Sequence, residues 1–254
     1  MRNHVSYSVG YNNVLLKGNK MNLLCVSWET IGNNNHKATL NEVMDTSKLT
    51  SYSEDGETPG VYINAWDMEA GNWGKIYYYV NQPSWNEGEY DWTDTWCDGE
   101  TMPCNDEIEP GSALWLFHLG TDVEDFTFMG QVANSGVKSY TLAKGKMNLC
   151  GNPYPANLDL NNKNQVTIAN KTSYSEDGET PGDYINTWDL TTGNWGAIYY
   201  YVNQPSWNEG EYDWTDTWCD GETMPVDSTT IPAGSGFWYY ACGEGTTFTF
   251  TEIK

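Results

Sequence analysis

Asp183-Tyr184-Ile185-Asn186-Thr187-Trp188, followed after a Thr192-Gly193-Asn194 turn by Ala197-Ile198-Tyr199-Tyr200-Tyr201-Val202, reads as two short strands. Both runs are rich in aromatic and β-branched residues, and glycine with asparagine is turn chemistry. The same grammar continues outward in Gln165-Val166-Thr167-Ile168, in Gly236-Phe237-Trp238-Tyr239-Tyr240 and in the alternating Thr247-Phe248-Thr249-Phe250-Thr251. Further turns fall at Glu176-Asp177-Gly178 and Pro232-Ala233-Gly234. Long apolar stretches with helical period are missing, so the chain reads as all-β.

The two strands belong to a tract that occurs twice. Thr50 to Pro103 returns as Thr172 to Pro225, shifted by 122 positions. The copies differ only at Val61/Asp183, Ala65/Thr187, Met68/Leu190, Glu69/Thr191, Ala70/Thr192 and Lys75/Ala197. A period of this length matches an ordinary domain and exceeds any solenoid repeat. Two tandem β-sandwich-like domains are therefore expected, 1–133 and 134–254, with the break in the Gly130 to Lys138 stretch. One helix is expected at Thr39-Leu40-Asn41-Glu42, which has capping-box spacing, with Val43, Met44 and Leu49 following on one face; its counterpart from Ala156 to Asn164 lacks the pattern.

The formal charge of −23 and isoelectric point near 4.1 repel phosphate backbones and anionic lipid surfaces, which excludes nucleic acid as a partner. No run of about 18 apolar residues occurs, so no membrane-spanning helix is expected. The first residues lack the apolar core of a secretory signal, which leaves a cytosolic protein or a mature form open. Six cysteines, Cys25, Cys97, Cys104, Cys150, Cys219 and Cys242, leave two alternatives: reduced buried thiols, or disulfides such as Cys97 with Cys104 and Cys219 with Cys242. Cys97 matches Cys219 within the repeat, and Cys25 nearly matches Cys150.

The run Gly145-Lys146-Met147-Asn148-Leu149-Cys150-Gly151-Asn152-Pro153-Tyr154-Pro155, then Trp188-Asp189, then Pro232-Ala233-Gly234-Ser235-Gly236-Phe237-Trp238, resembles the repeated β-domains of secreted bacterial surface proteins. The first half departs from that pattern, with Val26-Ser27-Trp28-Glu29 in place of Gly-Asn-Pro-Tyr. The resemblance implies an extracellular or cell-surface, non-enzymatic role and supplies no catalytic residues.

Strand alternation places Ile76, Tyr78 and Val80 on one face, expected to be core. Tyr77 and Tyr79, and in the copy Tyr199 and Tyr201, then either form a wet or interfacial face or pack under the following loop. A loop-like tract from Gln82 to Pro103 carries Trp85, Tyr90, Trp92 and Trp96, repeated as Trp207, Tyr212, Trp214 and Trp218. Such rings beside amides and carboxylates serve sugar binding, protein interfaces or a small satellite core, and the sequence leaves all three open. Asp91, Asp94, Asp98 and Glu100, with Asp213, Asp216, Asp220 and Glu222, could gather oxygen ligands for calcium or simply form a solvated acidic loop. No nucleophile motif or phosphate-cradling loop is present, so no enzyme activity is expected.

The expectation is a non-enzymatic extracellular bacterial structural or surface protein, self-associating and even filament-forming through its duplicated Trp/Tyr faces. Its partners would be copies of itself, extracellular matrix or polysaccharide. The alternative is a bivalent carbohydrate-binding module, whose tandem sites gain avidity.

Overall fold

The computed structural model describes residues 8–32, 37–53, 58–67, 70–82, 92–98, 103–133, 137–175, 180–204, 214–220, 225–226 and 229–251. The architecture is all-β. The first half of the chain forms β1 (Val9–Leu16), β2 (Lys20–Val26), β3 (Ala38–Thr39), α1 (Leu40–Val43), β4 (Tyr62–Asp67), β5 (Asn72–Val80), β6 (Thr95–Asp98), β7 (Glu107–Ile108), β8 (Ser112–His118) and β9 (Val123–Gln131). The second forms β10 (Val137–Thr141), β11 (Lys146–Gly151), β12 (Leu158–Asp159), β13 (Val166–Ala169), β14 (Tyr184–Asp189), β15 (Asn194–Val202), β16 (Thr217–Cys219), β17 (Thr230–Ile231), β18 (Gly236–Ala241) and β19 (Thr247–Thr251).

Ten strands join in one sheet, ordered β16-β15-β14-β18-β11-β8-β4-β5-β6 with β2 also paired to β8. A smaller sheet lies across each half's core: β1 with β9, and β10 with β19 and β13. Val14, Leu16, Phe126 and Phe128 of the first small sheet share a buried cluster with Leu24, Ile63, Leu114 and Leu116 of the large one. Phe248 and Phe250 do the same with Ile185, Phe237 and Tyr239. The first cluster ends at Phe128 and the second begins at Ala133.

The hairpins follow from their turn residues. Asp189 accepts hydrogen bonds from the Thr191 backbone N–H (2.8 Å) and the Thr192 hydroxyl (2.8 Å), and Gly193 closes the turn at φ 62°, a conformation that costs glycine nothing. The Trp-Asp motif is thus turn chemistry. Asn148 works the same way, its carboxamide binding the Ala143 N–H (2.8 Å) and the Ala143 and Lys146 carbonyls (3.1 and 3.0 Å). Asn22 does this for the first half, accepting the Lys17 N–H at 2.7 Å.

The helix is a single turn, shorter than expected. Glu42 accepts the Thr39 N–H at 2.9 Å as the capping box requires, but Met44 is already extended and bridges Phe128 of β9. Sheet pairing captures the chain before a second turn can form.

Register also corrects the cysteine match. Leu24 lies opposite Leu114, and Cys150 opposite Phe237, so Cys150 is the equivalent of Leu24 and Cys25 the equivalent of Gly151. A side chain on Gly151 would meet the Cys25 Sγ at 2.1 Å; the two positions abut, and only one has room for atoms beyond the backbone. All six cysteines are unbonded thiols. Cys97 packs with Val80 and Trp92, whereas Cys104 packs against the first core. Burial pushes the Cys25, Cys97 and Cys219 thiols up to about 12, which makes them poor nucleophiles.

Both edges of the large sheet are blunted. Pro103 bridges Cys97 beside β6, and Pro225 bridges Cys219 beside β16; proline has no N–H to offer a further strand. Among the described residues no helix is long and apolar enough to cross a membrane.

Candidate binding groove

On β5 and β15 the expected facing holds for Val80 and Val202, which are buried, and fails for the isoleucines and the tyrosines opposite them. Tyr77, Tyr79 and Tyr201 are buried in the cores, while Ile76 and Ile198 are exposed. The cause lies at the rim of each core, where carboxylates receive the phenol tips. Tyr77 donates to Asp106 at 3.0 Å, Tyr79 to Asp94 at 3.0 Å and Tyr201 to Asp216 at 3.1 Å. Each ring is buried and each hydroxyl satisfied, which an isoleucine there would forfeit. Desolvation, then the Asp94 hydrogen bond, pushes the Tyr79 phenol up to about 12. Tyr199 is half-buried against the second core.

The expected loop rings are also interior wherever they are described. Trp96 and Trp218 lie within the two main cores, and Trp92 and Trp214 form satellite clusters with Val80/Cys97 and Val202/Cys219. These sealed rings cannot be an outward platform. Trp85, Tyr90, Trp207 and Tyr212 lie outside the described residues, as do Asp91, Glu100, Asp213 and Glu222.

The described members of the acidic set are spread over different tasks. Asp94 accepts hydrogen bonds from Thr46 and Tyr79. Asp216 is bridged by Lys163 (2.5 Å) and Lys171 (2.7 Å). Burial opposes the Asp216 charge, yet the two ammonium groups hold its carboxyl down at about 2, and they repel a divalent cation from the same spot. Asp98 and Asp220 end or follow the edge strands β6 and β16. Among the described residues no group of three or more His, Cys, Asp or Glu side chains has metal-holding geometry.

The aromatic surface that does face outward lies on the other side of the large sheet, where the halves meet. Trp66 of β4 and Trp73 of β5 stand edge-to-face (centroids 5.3 Å, 86°), and Trp238 of β18 completes the group at 4.9 and 5.9 Å. The second group mirrors it. Trp188 and Trp195 stand at 5.3 Å and 83°, and Trp115 of β8 joins at 4.8 and 6.0 Å. Each triad takes two indoles from one half and one from the other. Trp73 and Trp195 remain 52% and 55% exposed, while Trp115, Trp188 and Trp238 are buried.

Between the triads runs an open groove of about 800 Å3, lined by Trp66, Trp73 and Trp238 of the first triad, by Trp115 and Trp195 of the second, and by Met21, Met147, Asn64, Asn186, Tyr184 and Lys146. No carboxylate lines it among the described residues. Flanking it, Tyr62 stacks on Phe117 (5.2 Å, 20°) and Tyr184 on Tyr240 (5.1 Å, 19°). The indole N–H groups of Trp66 and Trp188 and the Asn186 Oδ1 are buried with no partner among the described residues. Each such group costs about 1–3 kcal/mol, so stability alone does not account for this arrangement.

Comparison of the halves separates packing from site. Facing the cores, β2 and β8 carry Leu24, Leu114 and Leu116 where β11 and β18 carry Cys150, Phe237 and Tyr239. Facing the groove, three equivalents are identical: Met21/Met147, Leu23/Leu149 and Trp115/Trp238. The apolar core positions have been repacked; on the groove face the methionine, leucine and tryptophan positions are kept, while Cys25/Gly151, Ala113/Gly236 and Phe117/Tyr240 differ. Sequence reasoning missed this site because Trp115 lies outside the duplicated tract and because no linear pattern shows two halves docking; the identity of Trp115 with Trp238 was the available signal. The chain matches no protein-family model, no curated protein and no solved structure.

Proposed function

We propose that this is a non-enzymatic binding protein that holds a neutral glycan chain in the groove between its tryptophan triads. The observation that carries the reading is the retention of Met21/Met147, Leu23/Leu149 and Trp115/Trp238 in strands whose apolar core-facing residues change from Leu24, Leu114 and Leu116 to Cys150, Phe237 and Tyr239. Leu23 and Leu149 seal the junction, but Trp73 and Trp195 are more than half exposed, and packing does not explain them. Indole faces suit the C–H faces of sugar rings, and the Asn64 and Asn186 amides suit hydroxyls. A lining of tryptophan, tyrosine, methionine and amide with one lysine sets no carboxylate opposite a polycation, and the overall charge of −23 opposes a polyanion. The resemblance to secreted surface domains favours action outside the cell.

Affinity electrophoresis through gels containing neutral polysaccharides tests this. The protein is expected to be retarded by at least one of them, and a Trp73→Ala/Trp195→Ala double variant to run unretarded. Free migration in every gel, or equal retardation of the double variant, contradicts the proposal.

Association between copies is a second reading, favoured by the exposure of Ile76 and Ile198 beside those two indoles. Acid lowers the charge that opposes contact, so sedimentation at pH 7 and pH 4 should show larger species at pH 4 that vanish in the same double variant. A monomer at both pH values contradicts it. The proline-blunted edges direct any such contact to the sheet face rather than to strand addition.

A further inference from the structure

The groove has the symmetry of a dimer interface although it lies within one chain. Leu24 bridges Ser235, and its equivalent Cys150 bridges Ser112. Lys20 Nζ donates to the Thr192 carbonyl at 3.0 Å, and its equivalent Lys146 donates to the Ala70 carbonyl at 3.2 Å. Trp238 enters the Trp66/Trp73 pair, and Trp115 enters the Trp188/Trp195 pair. All three exchanges obey one approximate two-fold operation, as in an isologous contact. Its axis passes through the junction, and neither triad is complete within its own half.

Resting on the neutral-glycan reading, we infer that the groove is a single site that takes one glycan chain across the two-fold axis, with the triads as paired subsites, and accepts the chain in either polarity. A glycan has distinct reducing and non-reducing ends. Reversing it exchanges Met21 for Met147, Asn64 for Asn186, Trp73 for Trp195 and Trp115 for Trp238, so the reversed chain meets the same side chains at these four pairs. None of the six differing positions of the duplicated tract lines the groove among the described residues. The paired indoles, methionines and amides therefore do not separate the two orientations, and the groove wall differs end to end only where Trp66, Gly71, Lys146 and Tyr184 line it without their equivalents, so discrimination between the polarities is weak. Two independent sites, one per domain, would each need a complete set of rings in its own half, and Trp238 and Trp115 sit in the opposite ones.

Calorimetric titration of the intact protein with cellohexaose, mannohexaose and xylohexaose is expected to give one hexasaccharide per chain for any that binds. Trp73→Ala and Trp195→Ala, both at exposed positions, should weaken binding by the same factor, at least tenfold each, without changing that ratio. The bound hexasaccharide carrying a nitroxide at its reducing end should broaden the indole N–H signals of Trp73 and Trp195 alike. Two hexasaccharides per chain, a variant that loses one of two sites, or broadening confined to one triad overturns the inference and leaves the neutral-glycan reading standing. Absence of binding to every neutral polysaccharide in the electrophoresis above overturns that reading, and this inference with it.

Discussion

Tyr239 donates its phenol hydrogen to Asp183 at 2.6 Å inside the second core, where the equivalent positions of the first core are Val61 and Leu116, both buried and apolar. Asp183 also accepts the Cys242 N–H at 2.8 Å. Of the six differences between the duplicated tracts, this one changes the chemistry of a core. An apolar pair in one half answers to a hydrogen-bonded pair in the other.

Asp183→Ala would strand the Tyr239 hydroxyl and the Cys242 N–H, and is expected to destabilise by about 2–4 kcal/mol; Asp183→Asn, which keeps an acceptor, should cost less. Burial raises the Asp183 carboxyl above its ordinary value, so the folded chain holds this proton more tightly than the unfolded chain. The residue's contribution therefore makes stability fall as pH rises from near 4 through the raised value. Urea midpoints of the protein and of Asp183→Asn across pH 4 to 7 check this: the variant should lose that component of the slope.

Asp216 works with the opposite sign. Its carboxyl, drawn down to about 2 by Lys163 and Lys171 against the cost of burial, contributes stability that is present above about 4 and lost as pH falls toward 2. Asp216→Asn should flatten the acid limb of a thermal-melting series between pH 4 and pH 2 relative to the parent protein. An unchanged limb contradicts the ion-pair assignment.

Gly151→Ala places a methyl group against the Cys25 Sγ and Cβ and is expected to cost about 1–3 kcal/mol through overpacking. Because the two positions are equivalents that abut across the junction, Cys25→Gly should relieve the clash. A double-mutant cycle by urea unfolding should show favourable coupling between the changes. Additive effects would contradict the proposed abutment.

Trp238 is buried between its own half and the Trp66/Trp73 pair of the other. Trp238→Ala is expected to destabilise by about 3–5 kcal/mol, and unfolding followed by calorimetry should remain one transition in the parent protein because the junction couples the halves. Two resolved transitions in the parent would mean that the halves melt separately.

Much of the fold was legible from local chemistry. The strands from Tyr184 to Asp189 and from Thr247 to Thr251, and the turns at Gly193 and Gly234, follow from β-branched and aromatic residues bounded by glycine. The facing of Tyr77 and Tyr79 was not legible, because hydropathy ranks isoleucine above tyrosine as a core residue and the carboxylates that satisfy the phenols come from Asp106 and Asp94 elsewhere in the chain. The groove was hidden for a related reason: Trp66 and Trp238 are far apart in sequence and meet only when the two halves dock.

In the proposed complex a glycan rests on the indoles of the junction and not on those of the duplicated loop. The indole N–H signals of the intact protein, followed during titration with a soluble neutral oligosaccharide, distinguish the two sets of rings. Shifts are expected at Trp66, Trp73, Trp115, Trp188, Trp195 and Trp238, with Trp92, Trp96, Trp214 and Trp218 unmoved; shifts confined to the latter four, or none with any neutral oligosaccharide, would rule out glycan binding at the junction.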